Sequence, residues 1–299
     1  MQILTNTSVN AFGYVGHYII GETVQHLLPI STLNKINAHG YLDQFNGSLG
    51  KLSLWADKIK YDKQYQWTRP MHYYDIDSDP PLNCPKFTFP ENNNNETNLL
   101  YALKTFLLDL EESNQHSVGA ATKIIHKFSF NMLIHLLQDL YQPLHFTAKG
   151  RGGNEYWFEY KNKRYNLHYF WDSVVLRWAL QDILGKSYTM NEAILYFVNK
   201  FDKQIDCKFV KFINDVNPID INSSDQIIFQ NENLDETKDL DDIEEFFINI
   251  ANFVSKENCN LIWHYNEDID DYVELSKSKI EKLLSYSIKT SYCILQKIF

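Results

Sequence analysis

The sequence has a shortage of positive charge and lacks any long apolar segment. It contains 28 lysines and arginines against 38 aspartates and glutamates, which gives a formal net charge of −10. This balance argues against a broad basic face, the usual basis of non-specific binding to a phosphate backbone. No apolar run reaches the roughly 20 residues of a membrane-spanning helix. If the protein handles phosphates, bound metal must supply much of the positive charge.

Cysteine is also scarce, and its spacing excludes a C-x-x-C metal site. Two interpretations stay open on spacing alone, namely reduced cysteines in the core and widely separated disulfide partners. The four cysteines are Cys84, Cys207, Cys259 and Cys293.

Apolar residues recur mainly at the helical period, which predicts an all-α protein. A small β-hairpin is expected from Glu155–Tyr160 and Arg164–Leu167. Asp75–Glu96 and Asn214–Asp242 are predicted to be surface loops, and the second ends in an acidic cluster. With no convincing internal boundary, we expect one domain over residues 12–299. The helical patterns cover Tyr18–Leu28, Leu49–Ile59, Leu99–Leu110, Thr122–Tyr141 and Val273–Phe299, with others after Tyr169 and Ile194.

Residues 1–11 are polar and lack the apolar region of a signal peptide, although Val9-Asn10-Ala11 would be acceptable before a signal-peptidase cut. We expect this segment to be a leader or a disordered tail. Secretion is compatible with the Asn-x-Ser/Thr triplets that begin at Asn6, Asn46, Asn95 and Asn222.

Two histidine–aspartate pairs carry the chemistry. His135 and Asp139 are four residues apart, and so are His168 and Asp172. On a helix this spacing places an imidazole and a carboxylate on one face, within reach of one ion. His145 follows the first pair, just after Pro143 has ended its helix.

Three upstream residues extend this set: His17 at the start of the first helix, Asp57 in Trp55-Ala56-Asp57, and His72 in a loop. Each alone is more often a helix cap or a hydrogen-bonded core residue than a metal ligand. Together with the two pairs and His145 they make five histidines and three aspartates. That donor set favours zinc over magnesium or calcium, and it exceeds one tetrahedral site. Clustered metals can activate water and stabilise the leaving oxygen in phosphoryl transfer.

On these residues the chain resembles the secreted, zinc-dependent S1/P1 nuclease family, which cleaves single-stranded DNA and RNA and 3'-nucleotides. The resemblance extends from about Phe12 to the C-terminal helix, and the combination of H-x3-D-x5-H with H-x3-D is its specific part. The matching segments are Phe12–His17, Trp55–Asp57, Met71–Asp75, His135–His145, Gly152–Asn154 and Asn166–Asp172.

The resemblance implies a helical fold of the phospholipase C and zinc nuclease type with three zinc ions. The first set of ligands would be Asp57, His72, His135 and Asp139. The second would be His145, His168 and Asp172. The third would be His17, Asp139 as a bridge, and the amino nitrogen and carbonyl oxygen of Phe12, where the family usually has tryptophan.

It also implies a mechanism and a substrate pocket. A metal-activated hydroxide would attack phosphorus in line, with Asp57 orienting or deprotonating the water, to give a 5'-phosphate and a free 3'-hydroxyl. Asp139 would act through its bridging position. Tyr73 would stack on a base, Asp75 would accept a hydrogen bond from the base edge, and Asn154 would add a polar contact. Stacking needs an unpaired base, which accounts for a single-strand preference.

Two further expectations follow from the resemblance. The family pairs a cysteine after the metal-binding loop with one far downstream, which predicts a Cys84–Cys259 disulfide and leaves Cys207 and Cys293 as candidates for free thiols. A third zinc needs a free α-amine at Phe12, since an amide nitrogen is a poor ligand. Active protein is therefore expected to begin at Phe12, after a cut behind Ala11, and to be secreted.

Two rival functions stay open. Phospholipase C enzymes share the helical trinuclear-zinc architecture, so a phospholipid phosphodiesterase is the enzymatic alternative, although Tyr73 beside Asp75 favours a base over a phosphocholine group. A zinc-stabilised binding protein without catalytic activity is the other.

Overall fold

The computed structural model describes residues 12–90, 97–115, 120–201, 205, 207 and 239–299. The expected leader or tail, residues 1–11, lies outside this part, and so does most of the predicted acidic loop 214–242. Among the described residues no helix combines the length and apolar character needed to cross a membrane.

The described chain is predominantly helical, as predicted, with one two-stranded hairpin. Short 3-10 helices occupy Asp43–Phe45, Lys63–His72, Pro143–Phe146 and Ile262–His264, and one π-helical turn covers Phe170–Val174. The strands are β1 Trp157–Tyr160 and β2 Lys163–Asn166. The α-helices are α1 Gly13–Leu27, α2 Ile30–Ala38, α3 Leu49–Ser53, α4 Trp55–Ile59, α5 Leu99–Gln115, α6 Ala120–Asp139, α7 Gly150–Gly153, α8 Leu167–Tyr169, α9 Val175–Leu184, α10 Met190–Phe201, α11 Asp239–Ser255, α12 Glu257–Asn260 and α13 Ile269–Ile298.

The hairpin forms in the segment where the sequence predicts it. Its strands are antiparallel, with Trp157 opposite Asn166 and Tyr160 opposite Lys163. The two residues between them, Lys161 and Asn162, have φ of 49° and 60°. Two successive left-handed residues are typical of the tight turn whose twist matches that of the strands.

Helix α6 lies at the centre of one apolar core. Its C-terminal half is buried on every side, including Phe130, Leu133, Leu136 and Leu137, each at 0% exposure. Helices α1, α3, α4, α5 and α13 pack around it. Because α6 is enclosed, its polar residues are also buried, and they need partners.

Two glycines allow α1 and α3 to pack closely. A Cβ atom at Gly21 would lie 2.8 Å from the Gly50 Cα, and a Cβ atom at Gly50 would lie 2.8 Å from the Tyr18 carbonyl oxygen. Such distances leave no room for a side chain at either position. This crossing brings His17 of α1 towards the helices that follow α3.

Three boundaries differ from the expectations. The pattern Leu49–Ile59 forms two helices, because the chain bends at Leu54. His72 ends a 3-10 helix and does not lie in a loop. The segment from Asp239 to Asp242, predicted as the end of a surface loop, opens α11.

Both cysteine pairs form disulfides. Cys84 and Cys259 are bonded, with Cα atoms 5.9 Å apart, which confirms the predicted pair. Cys207 and Cys293 are also bonded, so the expectation of free thiols was wrong. The end of α10 contacts α13 through the Lys200–Glu281 ion pair at 2.5 Å, and the second disulfide adds a covalent link between the chain after α10 and α13.

Candidate metal centre

Five predicted ligands from four elements form one buried group, here called the inner cluster. His17 comes from α1, Asp57 from α4, and His72 from the end of its 3-10 helix, while His135 and Asp139 occupy the last turns of α6. Each of these side chains is at most 4% exposed.

Four of these side chains converge on one point. The Nδ1 atom of His72 lies 2.9 Å from Asp139 Oδ2 and 3.8 Å from Asp57 Oδ1. The Nε2 atom of His135 lies 3.2 Å from Asp139 Oδ2 and 3.6 Å from Asp57 Oδ1. Four ligands at zinc bond lengths in a tetrahedron are about 3.4 Å apart. The spacing therefore suits the first predicted set.

The two carboxylates also face His17. Its Nε2 atom lies 3.5 Å from Asp139 Oδ1 and 4.0 Å from Asp57 Oδ2. Oδ2 of Asp139 thus faces His72 and His135 while its Oδ1 faces His17, as expected of a bridging ligand. The two oxygens of Asp57 are divided in the same way at longer distances, which the sequence did not suggest.

The remaining predicted ligands, His145, His168 and Asp172, form the outer cluster. His168 Nε2 lies 3.3 Å from Asp172 Oδ2 across the start of the π-helical turn. The ring centroids of His145 and His168 are 5.5 Å apart. Within the described part of the chain, the side-chain groups whose ligand atoms all lie within 4.8 Å of one another come from the inner cluster. The outer cluster is therefore adjacent but less closed.

Hydrogen bonds to oxygen acceptors orient three of the imidazole rings. His135 Nδ1 lies 2.6 Å from the Ser53 carbonyl oxygen, and His168 Nδ1 lies 2.6 Å from the Gly152 carbonyl oxygen. A carbonyl oxygen only accepts, so each Nδ1 carries a proton, and each ring in its neutral form would present the Nε2 lone pair to its cluster. Gly152 has φ of 62°, which glycine adopts without strain.

His17 is oriented by a glutamine that the sequence analysis left without a role. Gln138 Oε1 lies 2.7 Å from His17 Nδ1, and Gln138 Nε2 donates to Ser53 Oγ at 2.8 Å. Ser53 Oγ itself donates to the Leu49 carbonyl oxygen, so it can only accept from Gln138 Nε2. Gln138 Oε1 is therefore the acceptor that faces His17 Nδ1. In the outer cluster Gln142 plays the same part, donating to Asp172 Oδ1 at 2.5 Å.

Seven of the eight predicted side-chain ligands carry a buried nitrogen or oxygen that has no hydrogen-bond partner. Buried polar atoms in folded proteins are nearly always paired, so unpaired atoms on seven of these eight residues suit side chains that bind metal ions. His135 is the exception, since both of its nitrogens have neighbours. The atoms are His17 Nε2, Asp57 Oδ2, His72 Nε2, Asp139 Oδ1, His145 Nδ1, His168 Nε2 and Asp172 Oδ2.

Burial keeps most of these imidazoles neutral. It lowers the pKa of His168 to about 4, and burial together with the His135 charge lowers the pKa of His17 to about 4. Burial also lowers the pKa of His72 and takes that of His145 well below its usual value. The neutral imidazole is the form that binds a metal ion.

The pKa values of Asp139 and Asp172 are shifted in opposite directions. Burial alone would raise the pKa of Asp139, but His135 and the hydrogen bond from His72 hold it well below its usual value. Burial raises the pKa of Asp172 well above its usual value, and the charges of Asp57 and Asp139 add to that rise. A divalent cation at this site would stabilise the ionised carboxylate.

Lys60 is a charged residue of the site that sequence reasoning missed. Its Nζ atom lies 2.6 Å from Asp57 Oδ1, and its side chain is only 12% exposed. Burial would lower the pKa of Lys60, but Asp57 raises it above the ordinary value, so the ammonium stays charged. The i,i+3 spacing from Asp57 within α4 and its cap was the available signal.

The predicted substrate residues differ in their exposure. Tyr73 follows His72 directly and is 37% exposed, and Asp75 is exposed two residues further on. Asn154 is partly buried, and its amide donates to the Arg151 carbonyl at 2.7 Å. The side-chain nitrogen of Asn154 is therefore already hydrogen-bonded within its own loop.

Phe12 is the first described residue and is fully buried. It adopts φ of 47° at the start of α1, where its carbonyl oxygen accepts from the Gly16 amide at 2.9 Å. The next residue, Gly13, lies against the outer cluster, because a Cβ atom there would be 3.0 Å from the Asp172 carbonyl oxygen. The chain directly after Phe12 thus packs against the backbone of Asp172, a predicted ligand of the outer cluster.

Comparisons with known proteins agree with this geometry. A model of the S1/P1 nuclease family matches residues 12–240. Endonuclease 4 of Arabidopsis thaliana is 25% identical over 59% of this chain and 59% of its own length. Nuclease P1 of Penicillium citrinum is 24% identical over 54% of this chain and 57% of its own. Nuclease S1 of Aspergillus oryzae is 26% identical over 54% and 53%.

The chain thus spans less than two thirds of the length of these curated relatives. The family match nevertheless covers more than half of the chain and contains every predicted metal ligand. The chain belongs to the S1/P1 nuclease family.

Proposed function

We propose that this protein is a zinc-dependent nuclease that hydrolyses single-stranded DNA and RNA as well as 3'-nucleotides, leaving 5'-phosphate products. The observation that carries the proposal is that seven of the eight predicted side-chain ligands each carry a buried nitrogen or oxygen without a hydrogen-bond partner. The family relationship supports the same class of reaction.

The residues present suit three zinc ions. Asp57, His72, His135 and Asp139 would hold the first, and His145, His168 and Asp172 the second. His17, Asp139 and the backbone of Phe12 would hold the third. When bound, such ions supply positive charge for the phosphate and lower the pKa of water.

Asp57 and Lys60 are the residues that would act on the reacting groups. Asp57 has a pKa held below its usual value, since His135 and Lys60 outweigh the effect of burial. It therefore stays ionised and can orient the attacking water and accept its proton. Lys60, 2.6 Å from Asp57, is placed to bind a non-bridging oxygen of the same phosphate.

Substrate selection would rest on the exposed residues after His72. Tyr73 offers an aromatic face to an unpaired base, and Asp75 offers an acceptor for its edge. Asn154 would add a contact through its amide oxygen, because its nitrogen donates to Arg151. A paired base cannot enter such a stack, which supports the single-strand preference.

The third ion also requires a processed N-terminus. We infer that active protein begins at Phe12, whose free α-amine would have a pKa near 8 and could lose its proton to a metal. N-terminal sequencing together with zinc analysis tests this. A fully active protein that retains residues 1–11 would contradict it.

The two disulfides support passage through an oxidising compartment. We therefore infer secretion or a secretory-pathway location. Fractionation of the expressing culture, with detection of both bonds by non-reducing peptide mapping, tests this inference. Free thiols at these positions in native material would contradict it.

Metal analysis combined with a substrate panel tests the function. The panel contains single-stranded DNA, RNA, a 3'-nucleotide, duplex DNA and phosphatidylcholine. We expect close to three zinc ions and hydrolysis of the first three substrates. Preferred cleavage of phosphatidylcholine would favour a phospholipase, and bound zinc without hydrolysis of any substrate would favour a binding protein.

A further inference from the structure

A basic and aromatic ridge, formed by Lys60, Tyr61 and Arg69, begins at the inner cluster and continues outside it. Lys60 Nζ lies 5.9 Å from the centre of the Tyr61 ring, and the Arg69 guanidinium carbon lies 5.6 Å from the same centre. Tyr61 is 52% exposed. A large aromatic ring is thus held at the surface beside two positive charges, one of which also contacts Asp57.

Arg69 uses one of its N–H groups to bind the backbone, and its other N–H groups can bind a ligand. Its Nε atom donates to the Lys60 carbonyl oxygen at 2.8 Å. Within the described part of the chain, no carboxylate forms an ion pair with it. The guanidinium has five N–H groups, so its terminal amino groups stay available. In a chain with a net charge of −10, an exposed arginine without a carboxylate is a candidate for binding an anion.

The backbone places Arg69 one turn away from a predicted metal ligand. Arg69 and His72 lie three residues apart in one 3-10 helix, where such residues share a face and are about 6 Å apart along the axis. Arg69 therefore lies beside the inner cluster, on the element that carries His72.

We propose that Tyr61 and Arg69 form a further nucleotide subsite. Arg69 binds the phosphodiester next to the scissile one, and the exposed part of Tyr61 stacks on the adjoining base. The proposal rests on the nuclease function proposed above. A guanidinium matches a phosphate with two parallel hydrogen bonds, and aromatic stacking accepts any base. A strand of several nucleotides reaches this subsite, whereas a 3'-nucleotide does not.

The test is Arg69→Gln in the zinc-loaded protein, purified in its active form, with a single-stranded 12-mer and a 3'-nucleotide as substrates. The KM for the 12-mer should rise about fivefold, as for the loss of one exposed ion contact. The slope of log(kcat/KM) against log salt concentration should become less steep by about 0.7. The kcat for the 12-mer and both constants for the 3'-nucleotide should be unchanged.

Three variants serve as controls. Arg164→Gln removes the same charge from a similar stack, since Arg164 lies 4.9 Å over the Trp157 ring on the hairpin, and it should leave the KM unchanged. Arg69→Lys should retain the salt slope and lose part of the affinity. Tyr61→Leu should raise the 12-mer KM while the salt slope stays close to that of the wild type.

Three results would overturn the subsite: an unchanged KM for the 12-mer, an equal loss on the 3'-nucleotide, or an equal loss in Arg164→Gln. A wild-type protein inactive on both substrates would refute the nuclease function instead. Fluorescence anisotropy with a labelled 12-mer would then compare wild type and Arg69→Gln. Equal affinities in that titration would refute the subsite as well, and a weaker variant would support it.

Discussion

The inner and outer clusters contain the same residue types and each includes a histidine and an aspartate four residues apart, yet they differ in closure. In the inner cluster each of the three histidines has a nitrogen within 4.0 Å of both aspartates. In the outer cluster one pair lies at 3.3 Å while the rings of His145 and His168 are 5.5 Å apart. Helix packing around α6 brings the ligands of the inner cluster together, and the outer cluster would depend more on a bound ion. Substitutions should therefore cost most in the inner cluster.

Asp139→Asn is expected to have the largest effect. Its two oxygens face both sides of the inner cluster, so the change should remove zinc from two positions and lower the rate by about 10⁴-fold. Hydrolysis of single-stranded DNA and total zinc are measured together. Asp109→Asn, in the remote pair with His126 at 3.6 Å, is the matched control. Full zinc with a normal rate would exclude the bridging role.

Asp172→Asn should cost less, because it affects the outer cluster alone. We expect the loss of one zinc ion, retention of the inner ions, and a rate about 10³-fold lower. Zinc per protein, measured by mass spectrometry, separates the two clusters. Loss of all the zinc in this variant would show that the clusters assemble as a unit and would contradict their independence.

Lys60→Gln should lower kcat by about 10²-fold, as for the loss of one preorganised donor in a transition state, while the zinc content stays unchanged. Lys149→Gln is the matched control, since Lys149 forms a 2.6 Å ion pair with Asp79 away from the inner cluster. If Lys60→Gln also lost zinc, the lysine would be acting through Asp57 and not on the substrate.

The smallest expected effect comes from the two supporting glutamines. Gln138→Met and Gln142→Met keep the shape of the side chain but remove the hydrogen bonds to His17 and Asp172. Each should weaken zinc affinity about tenfold, the first at the inner cluster and the second at the outer one. Competition with a chromophoric chelator measures this. Identical affinity profiles in the two variants would contradict separate support.

The helices and the two histidine–aspartate pairs could be predicted because they depend on local repeats. Because an α-helix has 3.6 residues per turn, His135 and Asp139 lie on the same face of α6 whatever α6 packs against. The same spacing brings His168 close to Asp172, although Asp172 lies in a π-helical turn. Lys60 shows the limit, since its spacing from Asp57 is also local but surface lysines at that spacing are common. Only its burial beside Asp57 distinguishes it.

The sequence by itself determined the helical class, the residue types that converge, and, through the family resemblance, the Cys84–Cys259 bond. Tertiary structure decided which pairs of elements meet: His72 with Asp139 across 67 positions, Gln138 with His17 across 121, and Cys207 with Cys293. These contacts depend on how helices cross, as at Gly21 and Gly50, and on the packing of many side chains at once. No local repeat encodes such a crossing, and this is why the second disulfide and the support of the metal ligands emerged only from the folded chain.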